Sequence, residues 1–383
     1  MSKALEKNNI PNAFKSIYDQ EIAIRILTNS IRNKRVSHAY LFWGPEGVGK
    51  KLTAKAFAKT ILCPDKELGG CKNCNTCVRI DKETHPDLLI VKPTGKTRLI
   101  TVDTIQEIIS LAHFRPYEGE RRFIIFDDAD RIGIPAQTHF LKTLEEPPSN
   151  TTFILVTANP GLILSTIRSR CQPVRFQYLQ PETIKRILIE EKSLNPDEAT
   201  KLANLSQGQI SRALEIYQNS KPLVILEIFN KLVNKKDPLK IAEEFEDFLD
   251  TLRKTAEAEF SINSAEKKEL TPEEINQLKE ILSAEIEAKV SHEFESCLFL
   301  INCMLRDMLI YHQTQDKSML YYPEAVEIYT SWQPEKIYSA LEFLGKVRGY
   351  IRRNIERGKV IRDLLLHFPH TFERSRQYEH SKN

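Results

Sequence analysis

Residues 44–51 read Gly-Pro-Glu-Gly-Val-Gly-Lys-Lys, a G-x-x-x-x-G-K phosphate-binding pattern. Glycines let backbone N–H groups close around phosphate oxygens, and the helix expected to follow adds a favourable dipole. Gly44, Gly47 and Gly49 would shape the loop, and Lys50 would reach the β- and γ-phosphates of a nucleotide such as ATP. The next position is Ser or Thr where a hydroxyl ligates Mg2+. Here it is Lys51, whose ammonium cannot ligate a cation and would lie close to the metal position. Thr53 is two positions too far along to substitute. Phosphate binding stays open to this loop, but metal-assisted hydrolysis of ATP is weakened.

A second constellation is Phe123-Ile124-Ile125-Phe126-Asp127-Asp128, an apolar run closed by an acidic pair, the Walker B pattern. Asp127 would hold Mg2+ at a strand end. Asp128 stands where a Glu usually polarises the attacking water, and it is one methylene shorter, which catalytic geometry tolerates poorly. A third is C-x7-C-x2-C-x2-C: Cys63, Cys71, Cys74 and Cys77. Four thiolates satisfy a tetrahedral Zn2+ with no open position, which makes the expected zinc structural. Lys72, Asn73, Asn75 and Thr76 suit tight turns between the ligands. Two arginines complete the set. Arg170, in Ser169-Arg170-Cys171, could reach a neighbouring subunit's nucleotide, although its spacing alone favours a surface arginine. Arg212, after Gly208 at an expected helix start, could contact phosphate.

These groups need a scaffold with strand ends converging on a loop. Residues 38–43, 88–91, 123–126 and 153–156 are short apolar runs of the kind buried parallel strands use. Helical spacing runs over 102–112 and over 134–144, the latter stopping at Pro147 and Pro148. A break is expected after Pro173, then a small helical module over 181–217 with Gly208 between two helices. Beyond residue 221 everything reads as helix; glycine is absent from 209 to 344. Loop-like breaks are expected near 261–272 and 321–334, and a frayed polar tail after Phe372.

The 383-residue length calls for more than one core. No run approaches the roughly 18 apolar residues of a membrane span, and the start has no apolar signal region, so a cytoplasmic protein without membrane contact is expected. Clustered cysteines in such a chain argue for metal rather than disulfides. A net charge of +3 does not suit a monomer that wraps DNA on its own. A basic stretch from Lys346 to Arg362 (with Arg348, Arg352, Arg353, Arg357 and Lys359) reads as a solvated face, or alternatively as a subunit or DNA contact. Tyr321 and Tyr322 read as packing groups rather than base-stacking ones.

HAYLFWGPEGVGK, the four cysteines, THPD (84–87), IIFDDAD (124–130), LKTLEEPP (141–148) and SRC (169–171) occur in this order over about residues 20–215. The set resembles the bacterial clamp-loader branch of the AAA+ family. That resemblance implies an α/β core with a P-loop and parallel sheet (1–178, including the zinc module at 63–77), a small helical lid (179–220) and an all-α oligomerising collar (221–383). It implies a DNA polymerase III clamp loader that places a sliding clamp on primer-template DNA. Two kinds of subunit share these motifs, an ATP-hydrolysing gamma/tau kind and a delta-prime kind that acts as a stator. THPD, DDAD, Lys51 and the lack of a long basic or proline-rich extension resemble the latter. On that reading the partners are gamma/tau and delta subunits, and ATPase activity of the chain itself is weak or absent. Arg170 is an arginine finger offered in trans, Thr157 takes the sensor position at a strand end, and Arg212 matches the second sensor. The competing readings are an active gamma/tau-type motor and a stand-alone zinc-containing DNA-binding protein.

Overall fold

The structure is a computed structural model and describes residues 10–65, 69–71, 73–93, 99–218, 221–234, 236–264, 272–325, 333–352 and 355–371. The chain forms two compact units, Met1–Ala213 and Leu214–Asn383.

The first unit is built on a parallel sheet of five strands: β1 (Ala39–Trp43), β2 (Leu88–Val91), β3 (Arg122–Phe126), β4 (Thr151–Thr157) and β5 (Gln172–Arg175). They lie side by side in the order β2-β3-β4-β1-β5. All residues of β3 and β4 are buried, as are the first four of β1, because helices cover both faces. That is why these strands read as continuous apolar runs. On one face α4 (Val102–His113) and α5 (Ile134–Glu145) bring Ile105, Ile108, Phe140 and Leu144 against Phe126, Phe153 and Leu155. Thr101 caps α4 by accepting the Thr104 N–H, and α5 opens with Pro135 in its first turn and ends before Pro147. On the other face α2 (Lys50–Leu62) sets Phe57 edge-on to Tyr40 and Phe123, 5.3 and 5.8 Å between ring centres.

The break expected after Pro173 is instead β5. Pro173 pairs in register with Leu41, in a strand at the margin of the sheet where its missing N–H costs no ladder bond. Only Val174 of its four residues is buried, so no apolar run marked it. Asn75 and Thr76, expected in turns, open a short helix, α3 (Asn75–Asp81), capped by the Cys74 sulfur; Lys72 lies outside the described residues. The helix α1 (Glu21–Arg32) precedes β1, and α6 (Ser165–Arg168) precedes β5. Then α7 (Pro181–Lys192), α8 (Pro196–Leu205) and α9 (Ile210–Gln218) follow, with Gly208 in the left-handed region between α8 and α9.

The second unit is helical throughout its described residues, as expected: α10 (Lys221–Val233), α11 (Pro238–Ser264), α12 (Pro272–Thr314), α13 (Pro334–Arg352) and α14 (Arg357–Thr371), with short 3-10 turns between α12 and α13. Cys297, Leu298, Leu300, Ile301, Cys303, Met304 and Leu305 are all buried, so α12 is wrapped on every side and forms the centre of this bundle. Asp307, fully buried, accepts the N–H groups of Tyr321 and Tyr322 and a guanidinium N–H of Arg306, which lies over the Tyr321 ring. Burial pushes its carboxyl up against the pull of these donors. Both tyrosines thus pack, as read. Lys346, Arg357, Lys359 and Arg362 pair with Glu342, Glu287, Glu356 and Glu246. Arg353, the side chains of Arg348 and Arg352, and the tail after Phe372 lie outside the described residues.

Among the described residues no helix is long and apolar enough to cross a membrane.

Candidate functional site

Three strand ends converge. Trp43 of β1 pairs with Thr157 of β4, and β3 lies on the other side of β4. The sheet order therefore brings the glycine loop, the acidic pair and the Thr157 hydroxyl to one edge, the carboxyl end where open parallel sheets hold ligands. Gly44, Gly47 and Gly49 all have positive φ. At Gly44 a Cβ would meet the Phe176 carbonyl at 2.4 Å, and at Gly47 it would meet the Ser211 hydroxyl at 1.9 Å. The loop needs glycine at both positions because neighbouring chain fills the space. Gly49 in turn is the left-handed N-cap of α2.

Lys50 is buried and folds back into the loop, donating to the carbonyls of Gly44, at 2.8 Å, and Pro45. Burial holds its ammonium below the usual range, against the field of Glu46, Asp128, Asp127 and Asp130. Thr53 is spent on α2 itself, its hydroxyl donating to the Gly49 carbonyl at 2.8 Å. Lys51 lies 3.3 Å from Asp127 Oδ2 and 3.2 Å from Glu83 Oε1. Lys55 and Lys59, one and two turns further along α2, pair with Glu83 and Asp81. Burial would raise the Glu83 carboxyl, but Lys51 and Lys55 outweigh it and hold it low.

Asp128 adopts the left-handed conformation two residues after β3. The Thr157 hydroxyl donates to Asp130 Oδ1 at 2.7 Å and accepts the Asn159 N–H, while Asn159 also donates to Asp130 Oδ2. Arg212 is half-buried at the start of α9, next to the Ser211 that meets Gly47.

Arg170 stands apart from this edge, between α6 and β5. Its side chain is 35% exposed; one nitrogen donates to the Thr166 carbonyl and another to Glu145 Oε1 at 2.7 Å. Buried Gln137 braces this region by donating to the carbonyls of Ile132 and Leu162 and accepting the Leu164 N–H. Cys171 beside it is a packing residue: burial pushes its thiol up to about 12.

The four cysteine sulfurs all lie within 4.8 Å of one another and could hold a metal ion. Cys63 ends α2, Cys77 lies inside α3, and both are buried. Backbone N–H groups of Cys74 and Asn73 pull the Cys71 thiol down to about 7. The neighbouring THPD segment forms a buried bracket. Asp87, with no exposed surface, accepts the N–H groups of Tyr117, Glu118 and Gly119, and His85 Nδ1 accepts the Asp87 N–H. Substituting Asp87→Ala would strand three donors and remove the carboxylate 3.9 Å from the Arg122 guanidinium. The expected result is a loss of about 3–5 kcal/mol, read as a lower urea midpoint; an unchanged midpoint would refute the bracket.

Glu83, Asp130, Gln137 and Glu145 were not singled out from sequence as partners. Three of them sit inside or beside motifs that were: Glu83 precedes THPD, Asp130 closes DDAD and Glu145 lies in LKTLEEPP.

Residues 19–180 match the family model described as "DNA polymerase III, delta subunit". The chain is 36% identical over 203 residues to the DNA polymerase III subunit delta' of Bacillus subtilis (strain 168), covering 53% of this chain and 60% of that protein. It is 32% identical over 136 residues to subunit delta' of Pseudomonas aeruginosa, covering 35% and 42%. To subunit tau of Bacillus subtilis it is 32% identical over 212 residues, covering 54% and 37%. The chain thus spans about 60% of the length of the first of these relatives and less of the other two.

Proposed function

From the match of residues 19–180 to the family model described as "DNA polymerase III, delta subunit", we propose that the protein is a delta-prime-type clamp-loader subunit that acts as a stator. The observation that carries this reading is the Lys51–Asp127 ion pair. The two positions that would share Mg2+ in a working ATPase are bound to each other, so the donor set does not fit the metal. In the same spirit the Thr157 hydroxyl is already committed to Asp130. What remains available is Arg170, exposed and steadied by Glu145, which serves as a finger on a neighbouring subunit's nucleotide. Partners on this reading are gamma/tau and delta subunits in the cytoplasm, with the sliding clamp and primer-template DNA reached through the assembly. The module at 63–77 holds structural zinc: the Cys63 sulfur lies 3.7 Å from that of Cys71 and 3.9 Å from that of Cys74, close to the roughly 3.8 Å edge of a tetrahedron with Zn–S bonds of about 2.3 Å. The segment 179–220 would be the lid and 221–383 the collar.

The test separates stator from motor. In a complex reconstituted with gamma-type and delta subunits, Lys50→Ala is expected to leave total ATP turnover unchanged. A fall of about tenfold or more with the complex intact would make the chain a gamma/tau-type motor instead.

A further inference from the structure

The pairing of Lys51 with Asp127 does more than remove a metal site. We propose that the Lys51 ammonium is a tethered counter-ion that takes the place of Mg2+, so that the loop accepts the polyphosphate of a nucleotide in its metal-free form. The loop keeps what phosphate recognition needs: three positive-φ glycines, the start of α2 and the buried Lys50. What it lacks is room for a divalent cation. A Mg2+ beside Asp127 would have to displace an ammonium 3.3 Å away that Glu83 also holds at 3.2 Å. That ammonium is carried on α2, one residue after Lys50, and held there by the two carboxylates. It stands over the same carboxylate that would bind the metal, and its charge cannot be removed by chelators. Glu46, Asp127, Asp128 and Asp130 all act on Lys50. An anion entering this acidic field needs a neutralising cation, and Lys51 supplies it from within the chain. Because one ammonium carries half the charge of Mg2+, the complex is competent to hold phosphate but not to polarise it for attack.

This inference concerns the loop alone and stands apart from the role of Arg170, so the two can fail separately. The experiment is calorimetric titration of the full chain with ATP, in excess EDTA and in excess Mg2+. The expected result is binding in EDTA at least as tight as in Mg2+. Lys51→Thr restores a hydroxyl and frees Asp127, and is expected to reverse the order, Mg2+ then tightening ATP by about tenfold or more. Lys51→Met keeps length without charge and is expected to lose metal-free binding by a similar factor without gaining a response to Mg2+; circular dichroism confirms that each variant is folded. The inference is overturned if the unaltered chain binds ATP about tenfold more tightly with Mg2+ than without, if it binds ATP in neither condition, or if Lys51→Met binds in EDTA as well as the unaltered chain does.

Discussion

Arg170→Ala is expected to lower ATP turnover at the adjoining subunit of a reconstituted clamp loader by about 10^3-fold or more, the range reported for arginine fingers. The argument rests on where the residue is and what holds it. Arg170 follows the short helix α6 in a tight turn, its N–H donating to the Ile167 carbonyl. Its guanidinium is fixed at one corner by Glu145 and at another by the Thr166 carbonyl, with the Ser169 hydroxyl 3.4 Å away, and about a third of the side chain is open to solvent. A guanidinium so placed is partly pre-organised; it need not search for its geometry when a phosphate arrives. Lysine would keep the charge and lose the planar fork, so Arg170→Lys should recover little of the rate. Since the side chain is partly exposed and its partner is a surface carboxylate, the alanine variant should fold and assemble normally. Steady-state ATPase beside size-exclusion chromatography of the same complex decides the matter. Unchanged turnover in an intact assembly would leave Arg170 a surface residue.

The second large effect concerns the cysteines. The purified protein should carry one zinc per chain by elemental analysis, and Cys77→Ser should lose it. Structural zinc in small zinc-dependent peptides contributes about 10–16 kcal/mol to folding. Here the module is braced on a larger body: Gly70 packs on Ala13, Gly69 accepts the Ala13 N–H, and Lys59 pairs with Asp81 at the end of α3. Part of the module's structure is therefore retained without metal, and the loss is smaller than in such peptides. A loss of about 4 kcal/mol from a unit of this size lowers the thermal midpoint by about 10 °C. Calorimetry with and without a strong chelator measures it. A midpoint insensitive to both chelation and Cys77→Ser would show that the four thiols merely pack.

Much of the core was legible because buried parallel strands leave unbroken apolar runs, and Phe123–Phe126 or Phe153–Val156 could hardly be anything else. β5 was not, since Pro173 argues against a strand and only Val174 turns inward. The short helix α3 was hidden because Cys74 caps it while belonging to a metal-ligand pattern. For the site, residue types announced the loop, the acidic pair and the thiolates, and Lys51 announced a disturbed metal position. Spacing could not show that its partners would be Asp127 and Glu83, which come from different parts of the chain and meet only when the sheet is assembled. The bond between Thr157 and Asp130 was out of reach for the same reason.

One consequence of β5 extends beyond the single molecule. Phe176 donates its N–H inward to the Trp43 carbonyl, and successive N–H groups along a strand point to opposite sides. The Pro173 nitrogen therefore faces outward, on the rim where another chain could add itself to the sheet. With no hydrogen there, the rim lacks a donor that an incoming strand would need. An edge that lacks this donor is a poorer template for ribbon-like self-association and amyloid-style growth from this side.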